Sequence, residues 1–479
     1  MSVDRAETRV AILDDGKTVE VYLERRGTRS VVGHVWKGRV GNVLAGMEAA
    51  FVDVGLEKNG FLHVDEVVAL GVPKSKRMIA NLLKKGDEVL VQATKDPMGT
   101  KGCRLTMQLS LAGRFAVYVP YGDGVGISKR LPDEERSRLR KLMRKISPEE
   151  GGVIVRTAAA GVAEDALTRD LESLGRLWEA LKARAAEAPT PTLLYSEADI
   201  SLRVIRDLLN EQVDEVLVDD QEQHDRIHGF LKRTSPAMAD RVGYYEDDQP
   251  LFERYGAEAA VRSTLTRRAD MKSGGYLIID DTEAMTVIDV NSGRNVGRGG
   301  SRLEDTITKT NLEAAEEVAR QLRLRDIGGI VVIDFIDMDD KKNRDAVMKA
   351  LETALERDRT RTWVADISAL GLVQMTRQNR SDGPREVMGD PCERCDSLGF
   401  HVADETLAIW AERDLTRLLK KVHKGAKTAK VKMDPRVAHG LTDEDGDWLA
   451  AIEESTGLEV DVQPDESLEP GTVKLIEAK

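Results

Sequence analysis

The chain has 479 residues, a mass of 52.9 kDa and a composition that is 41% apolar and 32% charged. Its length corresponds to about three domains, and this composition excludes disorder along the whole chain. A formal charge of −13 with three cysteines argues against a disulfide-rich scaffold and, taken over the whole chain, against a basic nucleic-acid-binding protein.

The first thirty residues are predicted to form strands rather than a targeting segment. Acidic residues stand where a signal peptide would have a basic end, and no stretch reaches the roughly eighteen apolar residues of a membrane span. The segments VAIL and VEVYLERR show the alternation of β-strands instead. We therefore expect a soluble, cytoplasmic protein that begins with β structure.

The segments that follow are predicted to form a small barrel. Short apolar segments such as AAFVDVG, NGFLHV and DEVLVQATKD follow one another with glycines between them. The chain then becomes more helical, in EERSRLRKLMRKI and EDALTRDLESLGRLWEALKARAAEA, with the β-like GGVIVRTAAAG between these two segments. The two prolines of APTPTLLYSE indicate a linker.

The second half of the chain shows an α/β pattern. Strand-like and helical segments alternate from about residue 200 to 268, and after Gly274 the strands GYLIIDD and MTVIDVNSG lead into a helix over about 304–324. The strand GGIVVIDFIDM, a helix near 345–357 and the strand WVADIS follow. Helices and short strands alternate again from residue 401, so we predict an α/β multidomain protein.

Charge is distributed unevenly along the chain. Basic residues outnumber acidic ones by 12 to 8 over residues 34–114, by 8 to 3 over 129–145 and by 9 to 2 over 413–436. Residues 443–479 hold 12 acidic and 2 basic residues. Basic segments in an acidic chain are typical of a protein that binds a phosphate backbone, although residues 129–145 alone fit a solvated helix face equally well.

Two apolar strands are predicted to end in polar residues that suit a metal ion. In TVIDVNSG, Asp289 and Asn291 are predicted to lie just past an apolar strand, and Asp334 ends another apolar strand with Asp337 and Asp339 beyond it. Carboxylates on neighbouring strands repel each other unless a cation lies between them, and Mg²⁺ binds through one or two carboxylates together with substrate phosphate oxygens. Capping of turns by these aspartates is the alternative.

The sequence PCERC places Cys392 and Cys395 at the spacing of half a structural zinc site. The remaining cysteine, Cys103, lies in the predicted barrel, so the simplest completion is the same pair from a second copy of the chain. This predicts a zinc-linked homodimer. A site that recruits His401 and a redox-active dithiol are the alternatives.

Aromatic and basic residues of the predicted barrel suit an unpaired nucleic acid. Phe51 and Phe61 could stack on bases, and Lys37, Lys95 and Lys101 could follow the backbone. The alternative places both phenylalanines in the barrel core.

Arg156 and Thr157 follow an apolar strand in GGVIVRTAAAG. An arginine followed by a hydroxyl can bind a terminal phosphate through charge-assisted hydrogen bonds. An ordinary loop is the alternative.

In this order, these segments resemble the bacterial ribonuclease E / ribonuclease G family of endoribonucleases. The resemblance is carried by AAFVDVG…GFL, TKGCRLTMQLSLAGR, IVRTA, GLVQMTRQNR and CERC, and above all by two long blocks at residues 273–294 and 310–338. It extends from the first strands to about residue 400, and more weakly to the end of the chain.

The resemblance implies roles for four sets of residues. They are Asp289 and Asp334 as Mg²⁺ ligands with Asn291 orienting the site; Phe51, Phe61 and Lys101 as RNA contacts of an OB fold; Gly113, Val117, Arg156, Thr157 and Arg377 as a pocket for a 5′-monophosphate; and Cys392 and Cys395 as a zinc link between two protomers. The sequence departs from the family where Glu393 replaces a proline and Asp396–Ser397 replace part of a glycine-rich tail. Both thiols remain, so zinc is still expected.

The resemblance also implies a domain map. A ribonuclease-H-like subdomain is split between residues 1–33 and 203–269, with an OB fold at 34–114 and a 5′ sensor at 115–202 inserted into it. A deoxyribonuclease-I-like catalytic subdomain covers 270–389, followed by the zinc link at 390–400 and a small α+β domain at 401–479.

The function that the resemblance implies is Mg²⁺-dependent hydrolysis of single-stranded, A/U-rich RNA, with preference for 5′-monophosphorylated ends. Cleavage would leave 5′-phosphate and 3′-hydroxyl ends and serve ribosomal RNA maturation and mRNA decay. The length is closer to the ribonuclease G type, the expected assembly is a homodimer or a tetramer of two dimers, and no membrane partner is expected. A non-catalytic RNA-binding scaffold and a metal phosphatase of small esters are the alternatives.

Overall fold

A computed structural model divides the chain into two compact units, Met1–Gly389 and Asp390–Lys479. The structure describes the chain without residues 26–29, 70, 74–75, 98–100, 295–302, 369, 379–382, 391, 393–394, 396–398, 400–401, 423–424, 443–447 and 469–470. Both units combine strands with helices, which confirms the expected mixed α/β class. Within the described ranges, no helix is both long enough and apolar enough to cross a membrane.

The strands and helices are numbered in chain order. Up to residue 195 they are β1 (Ser2–Val3), β2 (Glu7–Asp14), β3 (Lys17–Arg25), β4 (Val35–Leu44), β5 (Ala49–Asp53), β6 (Gly60–His63), α1 (Ile79–Leu82), β7 (Glu88–Lys95), β8 (Arg104–Thr106), β9 (Leu111–Ala112), β10 (Ala116–Val119), β11 (Val125–Ile127), α2 (Asp133–Ile146), β12 (Gly152–Val155), α3 (Glu164–Glu187) and β13 (Thr192–Tyr195).

The rest of the first unit contains α4 (Ile200–Leu208), β14 (Val216–Val218), α5 (Gln221–Thr234), α6 (Pro236–Ala239), β15 (Val242–Tyr244), α7 (Leu251–Arg254), α8 (Ala257–Ser263), β16 (Arg268–Asp270), β17 (Tyr276–Asp281), β18 (Met285–Asn291), α9 (Leu303–Leu324), β19 (Gly329–Asp334), α10 (Lys341–Leu355), β20 (Thr362–Val364), β21 (Leu372–Arg377) and α11 (Pro384–Met388). The second unit contains α12 (Asp404–Leu419), β22 (Thr428–Met433), α13 (Pro435–Thr442), α14 (Trp448–Thr456), β23 (Glu459–Pro464) and β24 (Val473–Ala478).

The expected barrel forms from five strands in the order β4-β5-β6-β8-β7, and it closes because β7 also pairs with β4. Alternating residues of these strands point inward, so that Val52, Leu62 and Leu105 are completely buried in the barrel core. Gly60 permits β6 and β8 to approach, because a Cβ atom at this position would lie 2.4 Å from Leu105 Cδ1.

Residues 111–187 form a four-stranded sheet in the order β11-β12-β10-β9, covered by α2 and α3. Helix α3 faces the sheet with an apolar stripe at helical spacing, which includes Leu167, Leu171, Leu174, Trp178 and Leu181. The opposite face of the sheet carries the more exposed residues Val117 and Ile154.

The N-terminal strands pack against segments that follow more than 170 residues later in the chain. The Met1 ammonium donates a hydrogen bond of 2.7 Å to Leu217 O, and Glu20 of β3 forms a buried ion pair of 2.7 Å with Arg323 of α9. Strand β2 packs against α4. These contacts attach the opening sheet both to residues 200–218 and to α9.

A six-stranded sheet in the order β16-β17-β18-β19-β21-β20 forms the core of residues 268–377. Strands β18 and β19 are parallel and the remaining pairs are antiparallel. Helices α9 and α10 cover one face, where Ile288, Val331, Ile333 and Val373 are completely buried. The other face, which we call the open face, carries the alternate residues of each strand.

The second unit is a three-stranded sheet in the order β23-β22-β24 with helices α12, α13 and α14 packed around it. Its core includes Leu415, Val431, Met433 and Val437, all completely buried.

Candidate active site

The two aspartates that end the predicted strands lie side by side on the open face. Asp289 of β18 pairs in register with Asp334 of β19, and adjacent strands are about 4.8 Å apart. Their flanking residues Ile288 and Ile333 are buried under the helices, so strand alternation turns both carboxylates toward solvent. The structure therefore brings together two acidic side chains that are adjacent in space and 45 residues apart in sequence.

Asn291 fixes the orientation of Asp289. It lies two residues further along β18 on the same face, and its Nδ2 donates a hydrogen bond of 2.8 Å to Asp289 Oδ2. Among the residues that the structure describes, neither Asp289 nor Asp334 forms an ion pair or accepts a backbone hydrogen bond. The turn-capping alternative therefore describes neither aspartate, in contrast to Asp340, which caps α10.

The electrostatics of the pair suit a divalent cation. Desolvation first, and then the negative charges of Asp289 and Asp337, raise the pKa of Asp334 above its ordinary value. A cation between the two carboxylates would remove this repulsion, and Mg²⁺ commonly binds through one or two carboxylates and keeps several waters. No group of three or more His, Cys, Asp or Glu side chains in the described ranges could hold a metal ion. The donor set consequently fits Mg²⁺ better than a metal enclosed by protein ligands.

A cavity of about 570 Å³ opens where the chain leaves β19. Its lining mixes acidic and basic side chains, including Asp337, Lys341, Arg344 and Asp366. Arg344 is engaged, because its Nη1 donates 2.6 Å to Met338 O. The cavity begins one residue beyond Asp334 in the chain, and neither of the two carboxylates lines it.

The predicted RNA-contacting phenylalanines lie outside the barrel core. Phe51 and Phe61 pair across β5 and β6, both are half-buried, and their rings meet edge to face with centroids 5.9 Å apart. The buried residues of the same strands are their neighbours in sequence, such as Val52 and Leu62. The core alternative is therefore wrong for both rings.

The lysines near these rings differ in their surroundings. Lys101 is exposed and lies two residues before Cys103, whose carbonyl accepts a 2.8 Å hydrogen bond from Phe61 N. Lys37 is engaged instead, since its Nζ donates 3.0 Å to Ala188 O and pairs with Glu88 at 3.0 Å. Of these two lysines, Lys101 is the exposed one.

Four of the five residues expected to form the 5′-monophosphate pocket lie near one end of the central strands β10 and β12. Arg156 Nη1 donates a hydrogen bond of 2.8 Å to Gly113 O, and Val117 pairs with Ile154, two residues before Arg156. Thr157 is exposed and begins a short 3₁₀ helix, Thr157–Ala159.

Two acidic residues that the sequence did not single out shape this pocket. Asp207 of α4 accepts a 2.6 Å hydrogen bond from Arg156 Nη2 and a 2.9 Å hydrogen bond from Arg206 Nε. Burial alone would raise the pKa of Asp207, but the hydrogen bond and charge of Arg206, together with the charge of Arg156, lower it. Asp170 accepts hydrogen bonds from three successive backbone N–H groups at residues 114–116. Both contacts join distant segments, so no local sequence signal reveals them.

The fifth expected pocket residue, Arg377, does not belong to this cluster. Its side chain is 4% exposed at the end of β21, where Nε donates 2.7 Å to Asp358 and Nη1 donates 2.8 Å to Asp326 and to Ile327 O. Nη2 donates 3.3 Å to Thr360 Oγ1. Because these buried partners engage the guanidinium, the prediction of a phosphate contact by Arg377 is wrong, and its role is to hold the sheet edge.

The three cysteines lie in different environments. Cys103 is completely buried in the barrel, and burial raises the pKa of its thiol to about 11. Cys392 is exposed and Cys395 is half-buried, and both belong to the second unit. The alternative ligand His401 lies outside the described residues, so the zinc link stays a prediction.

Comparisons with known proteins agree with the geometry. The sequence profile of the Ribonuclease E/G family matches residues 110–380. Ribonuclease G of Escherichia coli strain K12 is 40% identical over 474 residues, which cover 97% of this chain and 96% of that protein. Ribonuclease G of Haemophilus influenzae is 39% identical over 87% of both chains, and ribonuclease E of Nostoc sp. is 41% identical over 78% of this chain and 54% of its own.

Proposed function

The chain belongs to the ribonuclease E/G family, is of the ribonuclease G type and acts as an endoribonuclease in RNA processing, and from this premise we propose that Asp289 and Asp334 form its Mg²⁺-dependent active site. The register of β18 and β19 is the main support for the proposal, because it places two carboxylates side by side on an open surface, and neither has an ion-pair partner among the described residues. A non-catalytic scaffold and a phosphatase of small esters are set aside, because the similar proteins are ribonucleases over nearly their whole length.

The reaction is hydrolysis of a phosphodiester. Water adds to phosphorus, the bond from phosphorus to the 3′ oxygen breaks, and that oxygen takes up a proton, so that the products carry a 5′-phosphate and a 3′-hydroxyl. Bound Mg²⁺ supplies Lewis acidity, which lowers the pKa of water and balances charge on the phosphoryl oxygens. Asp289 and Asp334 would hold the ion, and Asn291 keeps the Asp289 carboxylate in position through its 2.8 Å hydrogen bond.

The substrate is single-stranded RNA, for which we propose an A/U-rich preference on the strength of the family resemblance. Phe51 and Phe61 present their rings on the outside of the barrel, and Lys101 adds a positive charge beside them. Stacking needs exposed base faces, so this surface favours unpaired RNA over a duplex.

We further propose a preference for 5′-monophosphorylated ends. Arg156 and Thr157 offer a guanidinium and a hydroxyl at one surface, and a terminal phosphate carries more negative charge than an internal one. Asp207 and Gly113 O accept hydrogen bonds from two nitrogens of the Arg156 guanidinium. These bonds restrict the orientations in which Arg156 can contact the phosphate.

For the assembly, we propose a homodimer joined by zinc through Cys392 and Cys395, with pairing of two dimers into a tetramer as a further step. Structural zinc requires four ligands, and one copy of the motif supplies two thiolates. The proposed cellular roles are ribosomal RNA maturation and mRNA decay in the cytoplasm.

The active-site proposal is tested with Asp289→Asn and Asp334→Asn on a short, 5′-phosphorylated fluorescent RNA in the presence of Mg²⁺. We expect each variant to bind RNA but to lose most of its cleavage, because one of the two carboxylates is missing. Asp225→Asn, at an exposed position of α5, is the matched control and should cleave normally. Undiminished cleavage by both active-site variants would contradict the proposal.

A further inference from the structure

A row of exposed side chains crosses the open face beyond the candidate active site. Met285, Ile330, Thr376 and Trp363 are successive register partners across β18, β19, β21 and β20. The three apolar members are 38%, 48% and 65% exposed, in the order Met285, Ile330 and Trp363. The indole is therefore largely uncovered, next to a sheet surface that is partly apolar. We call these four residues the open-face row.

The row runs parallel to the pair of carboxylates. Ile330 precedes Asp334 by four residues on β19, which corresponds to about 13 Å at 3.3 Å per residue. Trp363 is two strands further across, so its Cα atom lies about 16 Å from that of Asp334. A second row of register partners lies between the open-face row and the two carboxylates. It consists of Val287, Val332 and Gln374.

Because of where the two carboxylates lie, a substrate that reaches them must also contact the open face. Both aspartates point away from α9 and α10, so a phosphodiester can meet them only from the open face. The nucleotides next to the scissile bond must then lie over neighbouring side chains of that face. Stacked nucleotides advance about 3.4 Å, so Trp363 is at most about five nucleotides from the bond that is cut.

We propose that Trp363 is a stacking platform for an unpaired base of the RNA strand, a few nucleotides from the scissile bond. The large, flat indole matches a base of any identity, and Ile330 and Met285 continue the apolar surface. Thr376 and Gln374 lie beside it and offer hydrogen bonds to sugar or phosphate groups. The proposal rests on the proposed active site, and it commits the open-face row to RNA rather than to a second copy of the chain.

The first test is a cycle that changes both the protein and the RNA. Trp363→Ala and Trp363→Phe are compared with the wild-type protein on one RNA and on versions with a single abasic nucleotide at each of the five positions on either side of the cut. We expect Trp363→Ala to lower kcat/KM by about fivefold or more on intact RNA, the loss of one base–aromatic stack. Trp363→Phe should retain most of the activity.

One abasic position should reproduce this loss in the wild-type protein and add nothing to it in Trp363→Ala. Tyr255→Ala, which removes another exposed aromatic ring of the same unit, is the control and should cleave every RNA like the wild-type protein. Equal effects of Trp363→Ala on intact and on all abasic RNAs would overturn the proposal.

The second test measures binding and does not depend on cleavage. RNA added to the Asp289→Asn variant should quench tryptophan fluorescence, and the additional Trp363→Phe change should remove most of that quenching. If Asp289→Asn still cleaves, the active-site proposal fails, whereas unchanged quenching in the double variant overturns the stacking proposal alone. A shift of Trp363→Ala to a smaller assembly in sizing experiments, with unaltered quenching, would assign the row to contact between copies and also overturn it.

Discussion

Replacement of Arg377 tests the distinction between a structural arginine and a phosphate-binding one. Its guanidinium donates to Asp358, Asp326, Ile327 O and Thr360, and the Asp358 side chain is 2% exposed. Arg377→Ala leaves a buried carboxylate without its cation, which typically costs about 3–5 kcal/mol. We expect this loss in the local stability of the sheet edge formed by β20 and β21.

Amide hydrogen exchange is the appropriate assay, because a chain with several domains does not unfold in one step. The free energy of opening of β20 and β21 should fall by about 3–5 kcal/mol in Arg377→Ala. Arg385→Ala, which breaks an exposed ion pair with Asp281, should change it by less than about 1 kcal/mol. A further Asp358→Leu change should restore part of the stability, because the unpaired charge is then removed.

Cleavage of RNA with different 5′ ends distinguishes a structural arginine from a phosphate-binding one. At a temperature where Arg377→Ala remains folded, the ratio of cleavage rates on 5′-phosphate and 5′-hydroxyl RNA should equal that of the wild-type protein. Arg156→Ala should lower this ratio, since Arg156 is the cation of the proposed phosphate pocket. The reasoning is refuted if Arg377→Ala loses the preference while exchange at β20 and β21 is unchanged.

Three other changes test the remaining sites. Asp337→Asn should move the acidic limb of the kcat/KM profile to lower pH: Asp334 has a pKa raised by desolvation and by neighbouring charge, and removal of one negative charge lowers that pKa. Gly113→Ala should reduce the preference for 5′-phosphorylated RNA, because a Cβ atom there would lie 2.5 Å from Asp170 Oδ2 and displace the turn. Cys392→Ser should lower both the zinc content and the assembly size, measured by metal analysis and by sizing.

Matched changes serve as controls for these tests. Gly175→Ala lies in α3 with no atom within 4 Å of the added Cβ, so it should leave the 5′ preference unchanged. Cys103→Ala removes a buried thiol and should retain zinc. A pH limb that moves upward in Asp337→Asn, a normal 5′ preference in Gly113→Ala, or unaltered zinc and size in Cys392→Ser would each contradict the corresponding argument.

Features that depend on alternation along one strand can be predicted from the local sequence. In TVIDVNSG, the apolar residues Ile288 and Val290 flank Asp289, and both are buried while Asp289 is exposed. The same alternation in the barrel places Val52 inward and Phe51 outward. The general tendency of phenylalanine to be buried pointed the other way, and the local pattern was the better guide.

Features that depend on pairing between distant segments were out of reach. Arg377 stands in TRQNR, which has the composition of a basic surface segment, yet Asp358 and Asp326 neutralise it from 19 and 51 residues away. Trp363 lies on the same face as Asp334 because of the order β19-β21-β20, which neither strand encodes by itself. A family resemblance supplies a role for Arg377, but only the contacts show that its guanidinium already has buried partners.

Local pairing of charges also explains why a net charge of −13 does not exclude an RNA substrate. On the open face, Arg267 pairs with Asp280 and Arg268 pairs with Asp270, so these four residues contribute little net field. Asp289 and Asp334 have no such partner among the described residues, and their repulsion falls at the proposed position of the scissile phosphate. A cation bound between the two carboxylates would offset their negative charge. This point of the surface would then attract a polyanion instead of repelling it. The balance of charge over a few residues, and not over the chain, therefore decides which ligand each surface can accept.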